Sequence, residues 1–228
     1  MAIISQDTMQ KVLNVAYDKA VNGLSISGLP DFDSAYKLAE DYKTKYPNNL
    51  EKQINSFIKW QCRKAGLSGA ATGLGGFATM AVTLPANITS VIAIQLRMIA
   101  TIAILCGYDV KNDKVKTLIY CCLVKKSFED VIKSIGVKFA EKYSIKLIQR
   151  IPYDIIKVIN KYVGMKLITK FGQKGLVNLG KLVPIAGCFL GATIDWTSTK
   201  AIGVYSKKEL MSEQTKNNFI EAEIIEEK

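Results

Sequence analysis

The chain of 228 residues contains no histidine. That absence removes Ser-His-Asp and Cys-His nucleophile arrangements, H-E-x-x-H metal sites and imidazole general bases together. Cysteine is sparse and odd in number, at Cys62, Cys106, Cys121, Cys122 and Cys188, with no C-x-x-C pair. No zinc spacing or disulfide framework follows from it. Adjacent Cys121 and Cys122 would make a strained disulfide, so they read as small buried hydrophobes in a reducing cytoplasm. The start, MAIISQDTMQK, lacks the basic-then-apolar pattern of a secretory signal, and neither end carries a lipidation motif. Strand alternation, hairpin turns and fixed-period repeats are missing too. The expectation is an all-α protein without metal or cofactor.

Charge is scarce in one stretch. Ala65 to Tyr108 carries a single charge, Arg97, while lysines crowd both flanks. Its first half alternates Gly66, Gly69, Gly73, Gly75 and Gly76 with alanine, serine and threonine. Glycine in an exposed helix costs about 1 kcal/mol relative to alanine, and close helix–helix approach, as at Gly69-x-x-x-Gly73, is a reason to accept that cost. As a helix, residues 66–84 would be about 28 Å long, marginal for a bilayer core of about 30 Å. Pro85 splits the stretch, and a second, nearly all-apolar helix follows over 86–106. Arg97 in its middle is costly in lipid and fits a core helix in which it meets a carboxylate or helix-end carbonyls. The expected architecture is eight to ten helices packed around this glycine-rich apolar hairpin.

Around the hairpin, apolar spacing predicts amphipathic helices over 5–22, 31–46 and 49–64, the last with Asn48 and Glu51 at capping-box spacing. Further helices are expected over 115–124, from Ser127 to about Arg150, from Pro152 to about Tyr162, and over 193–205. Residues 1–64 and 65–206 would form one domain of N-terminal helices and core, followed by a charged, flexible tail over 207–228.

The net charge is +11. Residues 111–181 hold 16 basic and 5 acidic residues, so this third alone carries +11 and the remainder is neutral. Lys138, Lys142, Lys146 and Arg150 recur every four residues, as do Lys166, Lys170 and Lys174. Like charges at that spacing mildly destabilise a helix, whereas a basic face beside an apolar one suits an anionic membrane surface. A lysine-coated soluble surface is the plain alternative. Nucleic acid is disfavoured, because no recognised motif or interleaved aromatic set is present.

Two motifs fail on inspection. Gly73-Leu74-Gly75-Gly76 has Ala78 where a nucleotide fingerprint needs glycine, and no strand precedes it. Gly66-Leu67-Ser68-Gly69 has Ala70 where the nucleophile elbow needs glycine. Asp109 and Asp195 stand at the ends of apolar segments, either as proton or cation sites or, more simply, as a helix cap and a partner of Arg97 or a lysine.

Several segments together resemble the EcsC family. They are Ala65-Gly66 through Thr72-Gly73-Leu74-Gly75-Gly76, Pro85, Gln95-Leu96-Arg97-Met98-Ile99 with Ile102-Ala103, Gly107-Tyr108-Asp109, and later Lys181-x-x-Pro184-Ile185-x-Gly187 with Gly191. The resemblance covers roughly residues 35–201. Where the family usually has an acidic residue after the central proline this chain has Asn87, and where it often has asparagine this chain has Asp195. The resemblance implies a bacterial, helical protein, cytoplasmic or peripheral to the membrane, and brings no catalytic residues with it.

The leading expectation is a non-enzymatic protein at the cytoplasmic membrane face. Its basic surface would meet anionic lipid or a membrane protein complex such as a transporter. A hydrophobic, lipid-like ligand would lie in the glycine-lined core near Gly73, Gly75 and Gly76. A second reading is a histidine-free enzyme on a lipid substrate, with Arg97 binding an anionic group and Asp109 or Asp195 as base. A third is a colicin-like toxin whose helices shield an inserting hairpin.

Overall fold

A computed structural model describes residues 5–24, 32–67, 86–136, 151–171 and 197–212. The fold is all-α: the described residues hold eight helices and no strand. They are α1 (Gln6–Asn22), α2 (Ala35–Lys45), α3 (Leu50–Leu67), α4 (Ala86–Leu105), α5 (Asp113–Leu123), α6 (Phe128–Ser134), α7 (Tyr153–Phe171) and α8 (197–212).

The fold is organised around α4, which packs against α1, α2, α3 and α5. Its middle is buried on every side: Ile92, Leu96, Met98, Ile99, Ala100, Ile102 and Ala103 are all inaccessible. The second arm of the expected hairpin is therefore present as a core helix. The first arm, with Gly73, Gly75 and Gly76, lies outside the described residues. Among the described residues no helix is long and apolar enough to cross a membrane.

The other helices follow from their caps and stripes. Ser5 accepts a hydrogen bond from Thr8 N at 3.1 Å and opens α1. Met9, Leu13, Ala16, Tyr17 and Ala20 then form its buried face, at the spacing the sequence showed. Gly23 ends the helix at φ +83°, and a Cβ there would lie 2.9 Å from the Phe32 carbonyl oxygen. Only glycine lets the chain turn and close the antiparallel bridge between Leu24 and Phe32. That bridge corrects the expected start of α2. Phe32 is not helical; Ser34 caps the helix instead, accepting from Lys37 N at 3.0 Å.

The α3 cap is also displaced by one residue. Asn48 takes a left-handed conformation, φ +57°, as asparagine does more readily than most residues. Asn49 then accepts from Lys52 N at 2.9 Å. Glu51 is left free to meet Lys207 Nζ at 2.7 Å. Helix α5 is buried from Thr117 to Leu123, and Cys62, Cys106, Cys121 and Cys122 are buried free thiols. Ser127 caps α6 as expected, accepting from Asp130 N, but α6 stops at Ser134 before Gly136 at φ +74°. It does not run on continuously to Arg150. Helix α7 is longer than expected, continuing past Tyr162 to Phe171.

Helix α8 closes the bundle. Gly203 sits against Ile58 of α3 and Met98 of α4, and Tyr108 donates to the Leu210 carbonyl at 3.0 Å. The helix persists to residue 212, so the first six residues of the expected flexible tail are helical.

Candidate functional site

Arg97 is the one charged side chain in the middle of α4. It is 6 % exposed. The guanidinium stacks on the Phe32 ring, 3.8 Å from its centroid, and one terminal nitrogen donates to the Asp33 backbone carbonyl at 3.2 Å. Burial pulls its pKa down to about 10, and the nearby Asp33 charge works against that shift. Its Nε is buried without a hydrogen-bond partner. Arg97 thus meets the Asp33 carbonyl, which precedes the Ser34 cap of α2 and is not one of the helix-end carbonyls the sequence suggested.

Asp109 lies beyond the C-terminal end of α4, exposed, and accepts from Lys111 N at 2.9 Å. It shapes the loop, while Asn112 is the cap of α5, accepting from Lys114 N. From Arg97 to Leu105 the helix rises about 12 Å, so Arg97, in the middle of α4, stands well apart from Asp109 beyond its C-terminal end. Asp195 lies outside the described residues, as do Lys138, Lys142, Lys146, Arg150 and Lys174.

Lys166 and Lys170 are described, one helical turn apart on α7. They line a cleft of about 590 Å³ between α7, the end of α5 and the start of α8. Lys125 and Lys126 also line it, together with Thr197, Ser198, Leu123, Val124 and Ala201. Burial lowers the Lys170 pKa, and the positive charge of Lys125 lowers it further. Lys170 is nonetheless exposed as a residue. Lys166 Nζ lies over the Tyr162 ring, 5.2 Å from its centroid. Buried Gln95 donates to the Ser198 hydroxyl at 3.3 Å.

Sequence spacing singled out Lys166 and Lys170 but not Lys125, Lys126, Thr197 or Ser198. The available signal was a pair of lysines directly after the apolar run of α5, on the same side of the chain's charge imbalance. Their convergence with α7 is a tertiary fact.

A family model described as the EcsC protein family matches residues 2–210, nearly the whole described fold. The chain belongs to the EcsC family. A relative, the "Uncharacterized protein YdbA" of Bacillus subtilis (strain 168), is 28% identical over 189 residues, which is 78% of this chain and 65% of that protein. No solved structure matches. The family match reaches beyond the 35–201 segment of the resemblance, taking in α1 at one end and most of α8 at the other.

Proposed function

We propose that this EcsC-family protein is a non-enzymatic helical protein acting at the anionic, cytoplasmic face of a membrane, with α7 as the contacting element. The observation that carries the reading is the outward face of α7. Val158 and Met165 are exposed there at 43% and 55%, and Tyr153 at 59% near its start. Exposed Lys157 and Lys161 stand between and beside them. Residues 158, 161 and 165 follow i, i+3, i+7 spacing, so they share one face. Apolar side chains set among lysines suit a headgroup interface, where the apolar part sinks and the ammonium groups meet phosphate. The neighbouring excess of positive charge over 111–181 supports the same orientation.

The enzyme reading needs Arg97 beside a carboxylate base. Arg97 is shut in against Phe32, and Asp109 lies beyond the C-terminal end of α4, so that pairing lends it no support; Asp195 lies outside the described residues. The inserting-toxin reading needs α4 to leave a core in which most of residues 92–106 are buried.

Co-sedimentation of the full chain with vesicles tests the proposal. Phosphatidylglycerol vesicles should carry the protein down at low salt and release it at high salt, whereas phosphatidylcholine vesicles should not bind it. Equal recovery with both lipids, or none with either, would overturn the reading.

A further inference from the structure

We infer that the cleft between α5, α7 and α8 is a specific site for a phosphate monoester carried on a short apolar stem. The inference goes beyond surface attraction to a membrane and does not depend on it. A soluble phosphate ester and a lipid headgroup share this chemistry.

Size fits first. A volume of about 590 Å³ lies in the usual range of small-molecule sites, roughly 300–1,000 Å³. Chemistry fits next. Four lysines, Lys125, Lys126, Lys166 and Lys170, line one cleft, and none of its described lining residues is acidic. Lysine is a common phosphate binder, and Thr197 and Ser198 add hydroxyl donors. The Ser198 oxygen already accepts from Gln95, and a hydroxyl can donate as well as accept. Leu123, Val124 and Ala201 cover the remaining wall and would take a stem of a few methylenes.

A plainer account covers part of this. Lys125 and Lys126 follow the C-terminus of α5, and Lys170 lies in the last turn of α7, where the helix dipole favours cations. It explains each wall by itself. It does not explain why both walls face one cavity, close enough that Lys125 depresses the Lys170 pKa. Nor does it explain the backbone of Lys125, which is left-handed at φ +53°. Glycine or asparagine is the ordinary occupant of that position after a helix, and a long side chain there is a strained choice of the kind concentrated at functional sites.

That strain supplies the deciding variant. Lys125→Gly removes one ammonium group and suits the backbone, so its melting temperature should hold or rise. Calorimetric titration of the full chain with hexyl phosphate, below its micelle concentration, should show one site. It should bind at least about tenfold more tightly than inorganic phosphate, because the apolar wall adds to affinity. Lys125→Gly and Lys166→Gln should each weaken hexyl phosphate about tenfold, the size of a lost charged hydrogen bond. Lys161→Gln, on the outward face of α7, should leave it unchanged. Hexyl phosphate no tighter than inorganic phosphate, or unaffected by Lys125→Gly in a folded protein, would overturn the assignment.

Competition separates the sources. Phosphatidic acid vesicles that displace hexyl phosphate would assign the site to a lipid headgroup. Displacement by none, with hexyl phosphate still bound, would keep the site and assign it to a soluble ester. Neither result depends on the outward face of α7, so the site and the membrane proposal fail separately.

Discussion

The Arg97 guanidinium rests 3.8 Å from the centroid of the Phe32 ring and donates to the carbonyl of the next residue, Asp33. This contact joins the centre of α4 to the bridge that precedes α2. It makes the most polar residue of the apolar stretch a fastener for the loop between α1 and α2. Truncation should therefore cost more than charge removal. Arg97→Ala leaves a cavity and an unpaired carbonyl and should lower stability by about 3 kcal/mol. Arg97→Met keeps most of the volume and ends the burial of a charge, so it should cost less than about 1.5 kcal/mol. Urea unfolding of both checks the order; equal losses would mean that the cation, rather than the packing, holds the loop. A cycle with Phe32→Ala should return a coupling of about 1 kcal/mol.

How much of this was legible follows from which signals are local. The buried face of α1, the apolar core character of α4 and the Ser127 cap of α6 were readable, because periodicity and cap spacing lie within a few residues. The start of α2 was not. Phe32 falls on a helical period, but its backbone pairs with Leu24 across the turn at Gly23. The Asn48 cap failed for a related reason, since a left-handed Asn48 shifts capping to Asn49. At the site, the every-four-residues lysine pattern found Lys166 and Lys170. Lys125 and Lys126 join them only through the packing of α5 beside α7, which no spacing encodes.

Gly203 marks a close approach of α8 to the core. A Cβ there would come 3.0 Å from Ile58 Cγ2 and 3.1 Å from Met98 Sδ. Alanine gains about 1 kcal/mol of helix propensity, while overpacking costs about 1–3 kcal/mol. Ile58 is β-branched and stiff within α3, so crowding should win. Gly203→Ala should lower stability by about 1 kcal/mol, and Gly203→Val by clearly more. In an Ile58→Ala background the Gly203→Ala cost should vanish or reverse, which denaturant unfolding of the double variant would show.

The buried thiols set an alkaline limit on stability. Burial pushes the Cys106 pKa up to about 12, and Cys121 and Cys122 are also raised by burial. Unfolded thiols ionise near pH 9.0. Between these values the folded state holds protons that the unfolded state releases, so stability must fall as pH rises. The contribution is complete below about pH 9 and is lost for Cys106 as pH approaches 12. Each such group adds a slope of at most about 1.4 kcal/mol per pH unit within its window. Urea unfolding at constant ionic strength from pH 7 to 10.5 should show the decline, and Cys106→Ala should make it shallower whatever its cost at pH 7. An identical slope in that variant would mean that Cys106 ionises equally in both states.

Electrostatic and apolar contributions to membrane contact should separate on α7. A lysine near anionic headgroups contributes about 1 kcal/mol, so Lys157→Gln with Lys161→Gln should reduce partition onto phosphatidylglycerol vesicles about thirtyfold at low salt. The loss should shrink as salt rises, because screening already removes what the lysines supplied. Met165→Ser acts differently. It removes an exposed apolar side chain, so its effect on partition should be nearly independent of salt. Both variants alter exposed positions and should keep the parent's unfolding midpoint. Vesicle binding measured at 50 and 300 mM salt therefore gives two distinguishable slopes. If Met165→Ser changes nothing at either concentration, the lysines alone make the contact and the helix does not enter the interface.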